Sequence, residues 1–186
     1  METKSCIRKR ILAVRGELSE AERYESSRII AKKLRCLKAY NDAECLLGFV
    51  GYGSEVDTIP FLEQAVSDGK RVFCPVSRED KTMEFYRFIS KEVLIKGYKN
   101  IPEPPDNAEK FDRNSKKVFL LMPGVAFDKK KHRIGYGKGF YDRYLADFSP
   151  DFTAAICFDC QIVEKIPVET HDFIPDIVLT QTEEIV

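Results

Sequence analysis

No run of the 186 residues approaches the roughly 20 consecutive apolar positions that would span a bilayer. The opening Met1-Glu-Thr-Lys-Ser-Cys-Ile-Arg8 lacks the apolar core of a secretory signal. There is no net charge, because 30 Lys and Arg balance 30 Asp and Glu, and this argues against broad attraction to nucleic acid or an anionic membrane. Only two histidines occur, His132 and His171. Both are flanked by charge, and with no third candidate they read as surface residues rather than metal ligands. Six cysteines are present, yet Cys157-Phe-Asp-Cys160 is the one C-x-x-C spacing and no second such pair partners it. Phe152 to Val163 reads as a strand, on which residues three apart point to opposite faces, so this pair suits neither a disulfide nor a shared metal. Reduced, mostly buried thiols in a cytoplasmic protein are therefore expected. No Ser/His/Asp or Cys/His arrangement for covalent catalysis stands out.

What is present is concentrated in one stretch. An apolar strand, Lys117 to Met122, runs into Pro123-Gly124. The cation-rich run Lys129-Lys-Lys-His-Arg133 follows, then glycines at 135, 137 and 139, then Phe140-Tyr-Asp-Arg143 at a helix start. Strand, glycine-rich loop and helix start bring backbone N–H groups close to a phosphate. Glycine removes the Cβ that would hold the backbone away and permits φ > 0. The cations answer phosphate charge, and Asp142 is placed to hold a metal that travels with a nucleotide. The pattern is not a P-loop, which needs Ser or Thr after Gly-Lys, where Gly139 stands. Nor is it the dinucleotide fingerprint, whose last spacing is missing. A strained surface turn beside a solvated charge run remains the competing reading.

The length suits one domain, residues 1–186, with a sizeable core. Residues 3 to about 16 read as a basic helix whose apolar positions are Ile7, Ile11, Leu12 and Val14. Ser19-Glu-Ala-Glu22 is a capping box opening a second helix to about Leu37. Cys45 to Val50 reads as a strand, Thr58 to about Ser67 as a helix, and Arg71 to Val76 and Met83 to Ile89 as strands. Residues 97–115 form a connection long enough to suggest a function of its own. The strand to Met122, the helix from Phe140 and the strand from Phe152 make a βαβ unit, and Ile177 to Leu179 is a last short strand. The expected fold class is therefore α/β, a three-layer α/β/α arrangement with a mostly parallel central sheet. Ligands in such sheets gather beyond the carboxyl ends of strands, where the loops after Val50 and Met122 both lie.

The block Pro123-Gly-Val-Ala-Phe-Asp128, with Arg133-Ile-Gly-Tyr-Gly-Lys-Gly-Phe-Tyr-Asp142, resembles the signature of the 5-formyltetrahydrofolate cyclo-ligases, also called 5,10-methenyltetrahydrofolate synthetases. Lys4 and Arg8, Glu55-Val-Asp-Thr58, Ile101-Pro-Glu-Pro104, Pro167-Val-Glu-Thr-His-Asp172 and Asp176 agree in order and spacing, so the likeness covers nearly the whole chain. Lys131 stands where such proteins usually carry glycine, and a differently shaped turn is expected there.

The resemblance implies ATP- and Mg²⁺-dependent cyclisation of 5-formyltetrahydrofolate to 5,10-methenyltetrahydrofolate, with release of ADP and phosphate through an iminium phosphate. It implies that residues 4–8 (Lys4, Ser5, Cys6, Ile7 and Arg8) and the loop Arg133, Ile134, Gly135, Tyr136, Gly137, Lys138, Gly139, Phe140 and Tyr141 bind ATP, with Arg133 and Lys138 catalytic. Val50, Glu55, Tyr136, Gly137, Lys138, Gly139 and Phe140 would contact a folate, which can carry a polyglutamate tail. Asp142 and Asp172 would hold the metal. Each has a plainer alternative: a solvated helix face for Lys4 and Arg8, a helix cap for Asp142, a turn acid beside Pro175 for Asp172, an exposed loop acid for Glu55, and core packing for the aromatics. A monomer is expected, with no nucleic-acid or membrane partner. Two other functions fit the pattern: a sugar-phosphate isomerase or CoA-transferase-like enzyme on the same sheet, or a polyanion-binding module using Lys129 to Arg133.

Overall fold

The computed structural model describes residues 2–170 and 172–186, so the surface role expected for His171 lies outside the described residues. Two helices come first, α1 (Lys4–Gly16) and α2 (Glu20–Cys36), then the short α3 (Lys38–Asp42). The expected capping box opens α2: Ser19 Oγ accepts from the Glu22 N–H, and the Glu22 carboxylate accepts from the Ser19 N–H at 2.8 Å. β1 (Cys45–Leu47), α4 (Ile59–Ser67), β2 (Arg71–Ser77) and β3 (Met83–Arg87) follow. A hairpin of β4 (Ile95–Lys96) and β5 (Pro102–Glu103) precedes β6 (Val118–Met122). Then come β7 (Ala126–Asp128), β8 (Arg133–Ile134), α5 (Phe140–Ala146) and β9 (Phe152–Ile156). β10 (Ile162–Val163), β11 (Ile177–Leu179) and β12 (Glu184–Ile185) complete the chain.

Seven strands form the central sheet in the order β12-β11-β9-β6-β1-β2-β3. The five inner strands run parallel, and only the edge strands β12 and β3 are antiparallel. Side-chain alternation sorts the core into two layers. Leu46, Val72, Phe119, Leu121, Ala154 and Leu179 face the layer made by α2, α3 and α4. Leu47, Phe73, Leu120, Met122, Ala155 and Val178 face α5 and the aromatics Phe111 and Phe148. These inner strands are buried on both faces and read as unbroken apolar runs. Each fully buried Leu or Phe contributes about 1.5–3 kcal/mol. The fold is thus the expected α/β sandwich with a mostly parallel sheet. Its second outer layer is asymmetric: it contains α5 and part of a small sheet, β10-β7-β8, against which α1 packs through Ile7 and Ile11.

Several boundaries differ from the sequence reading. The strand expected to reach Val50 stops at Leu47, because a loop tied by Thr58 takes over. The strand expected over Phe152 to Val163 is broken after Ile156 by a single 3₁₀ turn at Asp159–Gln161, so opposite-face strand geometry does not describe the C-x-x-C pair. All six cysteines are free. Cys45, Cys74 and Cys157 are buried, but Cys6 and Cys36 are exposed. In α1, Val14 is exposed and Arg15 takes the inner position instead. No helix among the described residues is long and apolar enough to cross a membrane.

Candidate active site

The chain goes from β1 through α4 to β2 on one side of the sheet, then returns to place β6 on the other side of β1. The loops leaving β1 and β6 therefore diverge at the switch point where α/β sheets bind ligands. A cleft of about 520 Å³ opens there, within the size range of small-molecule sites.

The loop after β1 forms one wall. Thr58, 1% exposed, donates from Oγ1 to the Phe49 carbonyl at 2.5 Å and accepts from the Gly51 N–H at 2.9 Å. A Cβ on Gly51 would lie 2.1 Å from the Val56 carbonyl oxygen, so only glycine lets the loop fold this tightly. The result buries Val50 and turns Glu55 into the cleft. Glu55 accepts from the Tyr52 N–H at 2.9 Å and from the Tyr136 hydroxyl. Burial pushes its carboxyl above the ordinary range, and the bond from Tyr136 pulls the other way.

The loop after β6 forms the opposite wall. Asp128, nearly buried, accepts from the N–H groups of Lys130, His132 and Ile166 and pairs with the His132 ring. It organises the turn that delivers Arg133. Lys131 takes the left-handed conformation there, φ +66°, so the lysine adopts a backbone that glycine favours. Of the run Lys129 to Arg133, only Arg133 lines the cleft. Lys129 pairs with Glu183, Lys131 donates to the Asp176 carbonyl, and His132 serves Asp128. The expectation that the whole run answers one anion is corrected accordingly.

Arg133 is buried on β8. It donates from a terminal NH₂ to Asp142 at 2.6 Å, and its guanidinium lies 5.7 Å from the Tyr141 ring centroid. Asp142 is not the helix cap. Gly139 occupies that position with φ +63°, and Gly137 is also left-handed at φ +86°. Both conformations are cheap only for glycine, and a Cβ on Gly137 would meet the Arg8 guanidinium at 3.5 Å. Arg8 in turn donates from Nε to the Gly135 carbonyl at 2.8 Å. Lys4, one turn earlier on α1, contacts Asp172 at 2.7 Å and Glu169 at 3.1 Å. Burial acts to lower the Lys4 pKa, but its pairing with Asp172 and Glu169 outweighs this and raises it.

Lys138 stands exposed at the rim, and Phe140 and Tyr141 line the wall beside it. Ile134, Gly135, Gly139 and Asp172 also border the cleft. Ser5 and Cys6 do not border it and point to solvent, while Ile7 is buried in the core beneath α1. Three participants were not singled out from sequence. Arg15 bonds Tyr136 from behind the wall. Asp128 holds the turn. Glu103, 5% exposed, accepts from the Ser77 N–H at 3.1 Å and the Tyr98 N–H at 3.3 Å, and so ties the 97–103 connection to the end of β2. Burial raises the Glu103 carboxyl pKa against those two bonds. Its signal was the acid inside Ile101-Pro-Glu-Pro104. The signal for Arg15 was its place eight residues after Ile7 and four after Ile11 on an apolar stripe.

The model of the 5-formyltetrahydrofolate cyclo-ligase family matches residues 1–181. The 5-formyltetrahydrofolate cyclo-ligase of Escherichia coli K12 is 31% identical over 162 residues, covering 85% of this chain and 89% of that protein. The mouse cyclo-ligase is 31% identical over 174 residues, covering 87% and 85%. Among solved structures, the NMR structure of Aquifex aeolicus 5,10-methenyltetrahydrofolate synthetase superposes with a TM-score of 0.84 at 29% identity, over 97% of this chain and 91% of that one. With a cleft at the sheet's switch point, the signature loop along one wall and a family match over nearly its whole length, the chain belongs to the 5-formyltetrahydrofolate cyclo-ligase family and is an enzyme of that class.

Proposed function

We propose that the chain converts 5-formyltetrahydrofolate and ATP, with Mg²⁺, into 5,10-methenyltetrahydrofolate, ADP and phosphate. One observation carries this reading: a single cleft gathers Lys4, Arg8, Arg133 and Lys138 with Asp142 and Asp172 around the glycine loop, and sets Glu55 on the facing wall.

ATP is needed because the N5-formyl group is an amide. The resonance that gives an amide its rotation barrier of about 18–20 kcal/mol also makes its carbonyl a poor electrophile. Moving the γ-phosphoryl group to the formyl oxygen gives an iminium phosphate. N10 attacks that carbon, loses its proton, and phosphate leaves with the formyl oxygen. No covalent protein nucleophile is required. The work of the chain is alignment and charge stabilisation. Arg133 offers a planar fork to the moving phosphoryl group, Lys138 a mobile point charge, and Lys4 and Arg8 grip the remaining phosphates.

Asp142 and Asp172 suit magnesium as hard oxygen donors, and Mg²⁺ uses one or two carboxylates and fills its shell with phosphate oxygens and water. Among the described residues no group of three or more His, Cys, Asp or Glu is gathered to hold a metal, so an ion here would lean on phosphate oxygens and water beside the two carboxylates. Each of these aspartates is bonded to a cation of the same cleft, Asp142 to Arg133 and Asp172 to Lys4. A magnesium–triphosphate complex would offer each member of each pair a new partner of the right sign. The bound ion would supply neutralisation of phosphate charge. Glu55 would accept from the pterin N–H edge, with Val50 and Phe140 as apolar walls. The reading carries with it a monomeric enzyme in the cytoplasm, a reducing compartment that free thiols suit.

The test is the appearance of methenyl-product absorbance with 5-formyltetrahydrofolate, ATP and Mg²⁺, omitting each in turn. Strict dependence on all three is expected. Product formed without ATP, or none with all three present, would sink the reading.

A further inference from the structure

Arg15 is a cation in an apolar row. It follows Ile7 and Ile11 on the inner face of α1 and is 4% exposed, yet it does not border the cleft. Its Nε donates to Ser54 Oγ at 3.0 Å, and a terminal NH₂ donates to the Tyr136 hydroxyl at 2.9 Å. Its guanidinium carbon lies 5.9 Å from the Tyr136 ring centroid. The Tyr136 hydroxyl spends its own proton on Glu55. Among the described residues no carboxylate pairs directly with Arg15. A buried guanidinium is costly unless compensated, and here the nearest compensating charge is Glu55, one hydroxyl away. The row cation–phenol–carboxylate joins α1, the loop after β1 and the glycine loop. A tyrosine oxygen that accepts from a cation and donates to an anion is fixed in both directions.

We infer that Arg15 is a positioning residue for folate recognition: it locks the Tyr136 hydroxyl onto Glu55 and so holds the substrate-reading carboxylate at a set distance from the phosphate-binding loop. The inference rests on the proposed reaction. It assigns Tyr136 a side-chain role separate from its backbone place in the glycine loop. Removing the hydroxyl should loosen Glu55 without disturbing the loop's N–H groups. Folate affinity should therefore suffer while nucleotide affinity does not.

The experiment is steady-state kinetics on purified wild type, Tyr136→Phe, Arg15→Met and the double variant, varying 5-formyltetrahydrofolate and ATP separately. Each single variant is expected to raise the KM for the folate about tenfold, the scale of one charge-assisted hydrogen bond, with the KM for ATP within about twofold. The double variant should be no worse than the weaker single, because both changes break one chain of bonds. Equal rises in both KM values, additive losses, or unchanged folate KM with a lowered melting temperature would overturn the inference, since a merely structural Arg15 gives those results. Should Arg15→Met fail to fold, Arg15→Lys takes its place: it keeps the charge but cannot bond Ser54 and Tyr136 through one planar fork, and the same rise in folate KM is expected. A wild type that forms no product fails the reaction itself, and the inference with it. An active wild type with insensitive variants fails the inference only.

Discussion

In the cleft Lys4 meets Asp172 at 2.7 Å and Arg133 meets Asp142 at 2.6 Å, full charges in direct contact. Glu55 and Glu103, which line the same cleft, are held by neutral donors: the Tyr52 N–H and Tyr136 hydroxyl for the first, the Ser77 and Tyr98 N–H groups for the second. The electrostatic consequences run in opposite directions. Pairing wins over burial at Lys4 and stabilises its charge, whereas burial wins at both glutamates and works against theirs. A pair of opposite charges can exchange partners when a ligand brings both signs, as a metal-bound polyphosphate does. A carboxylate held by neutral dipoles has no counter-ion to give up and its direction is fixed, which suits accepting from N–H donors on a flat ring. On the proposed reaction, the paired charges thus suit affinity for a polyphosphate, and a carboxylate held by dipoles suits aim.

The sharpest break of this comparison is Arg133→Ala. It should remove a donor that the proposed reaction assigns to the transferring phosphoryl group, and leave Asp142 without the guanidinium it pairs with. Losing one such donor typically costs about 10²–10³ in turnover, and that is the expected fall in kcat, with far-ultraviolet circular dichroism retained. A near-normal kcat would mean that the paired charges do not hold the triphosphate.

Glu55→Gln tests the dipole-held carboxylates more gently. The amide keeps the shape and loses the charge, so the folate KM should rise about tenfold at neutral pH with kcat little changed. The sign of the pH effect follows from the raised pKa. The accepting form is the carboxylate, so wild-type folate KM should climb as pH falls through a value above the ordinary glutamate pKa of about 4.3. In Glu55→Gln that climb should vanish. If both proteins show the same acid limb, another group sets it.

Much of this was readable in the residues. Apolar runs marked the inner strands, Ser19 and Glu22 announced α2, and the glycines at 137 and 139 stand where the backbone is left-handed. The two loops that share the cleft followed from the parallel sheet alone. What escaped was whatever depended on distant partners. Nothing local says that Lys129 will find Glu183 or Lys131 the Asp176 carbonyl, so the basic run looked like one patch. Arg15 was hidden because its partners lie 39 and 121 residues away. Glu103 looked like one residue of a connecting loop until the fold brought Ser77 beside it. The break after Ile156 escaped because a 3₁₀ turn flanked by two strand pieces keeps a strand-like composition.

The smallest expected effect falls on the support of the paired charges, in the turn that delivers Arg133. Lys131 holds φ +66°, a left-handed conformation that costs a side-chain-bearing residue about 1–2 kcal/mol. Glycine there would relieve that strain but would widen the unfolded ensemble, an offset of about 0.5–1 kcal/mol. It would also lose the bond from the Lys131 ammonium to the Asp176 carbonyl, which is exposed and weak. Lys131→Gly should therefore stabilise by up to about 1 kcal/mol, a rise in melting temperature of roughly 2–4 °C for a chain of this length. Because Asp128 still organises the turn through the N–H groups of Lys130, His132 and Ile166, kcat and both KM values should stay at wild type. A stabilised variant with lowered kcat would show that the strained turn itself aims Arg133, and the paired charges would then depend on fixed geometry as much as the two glutamates do.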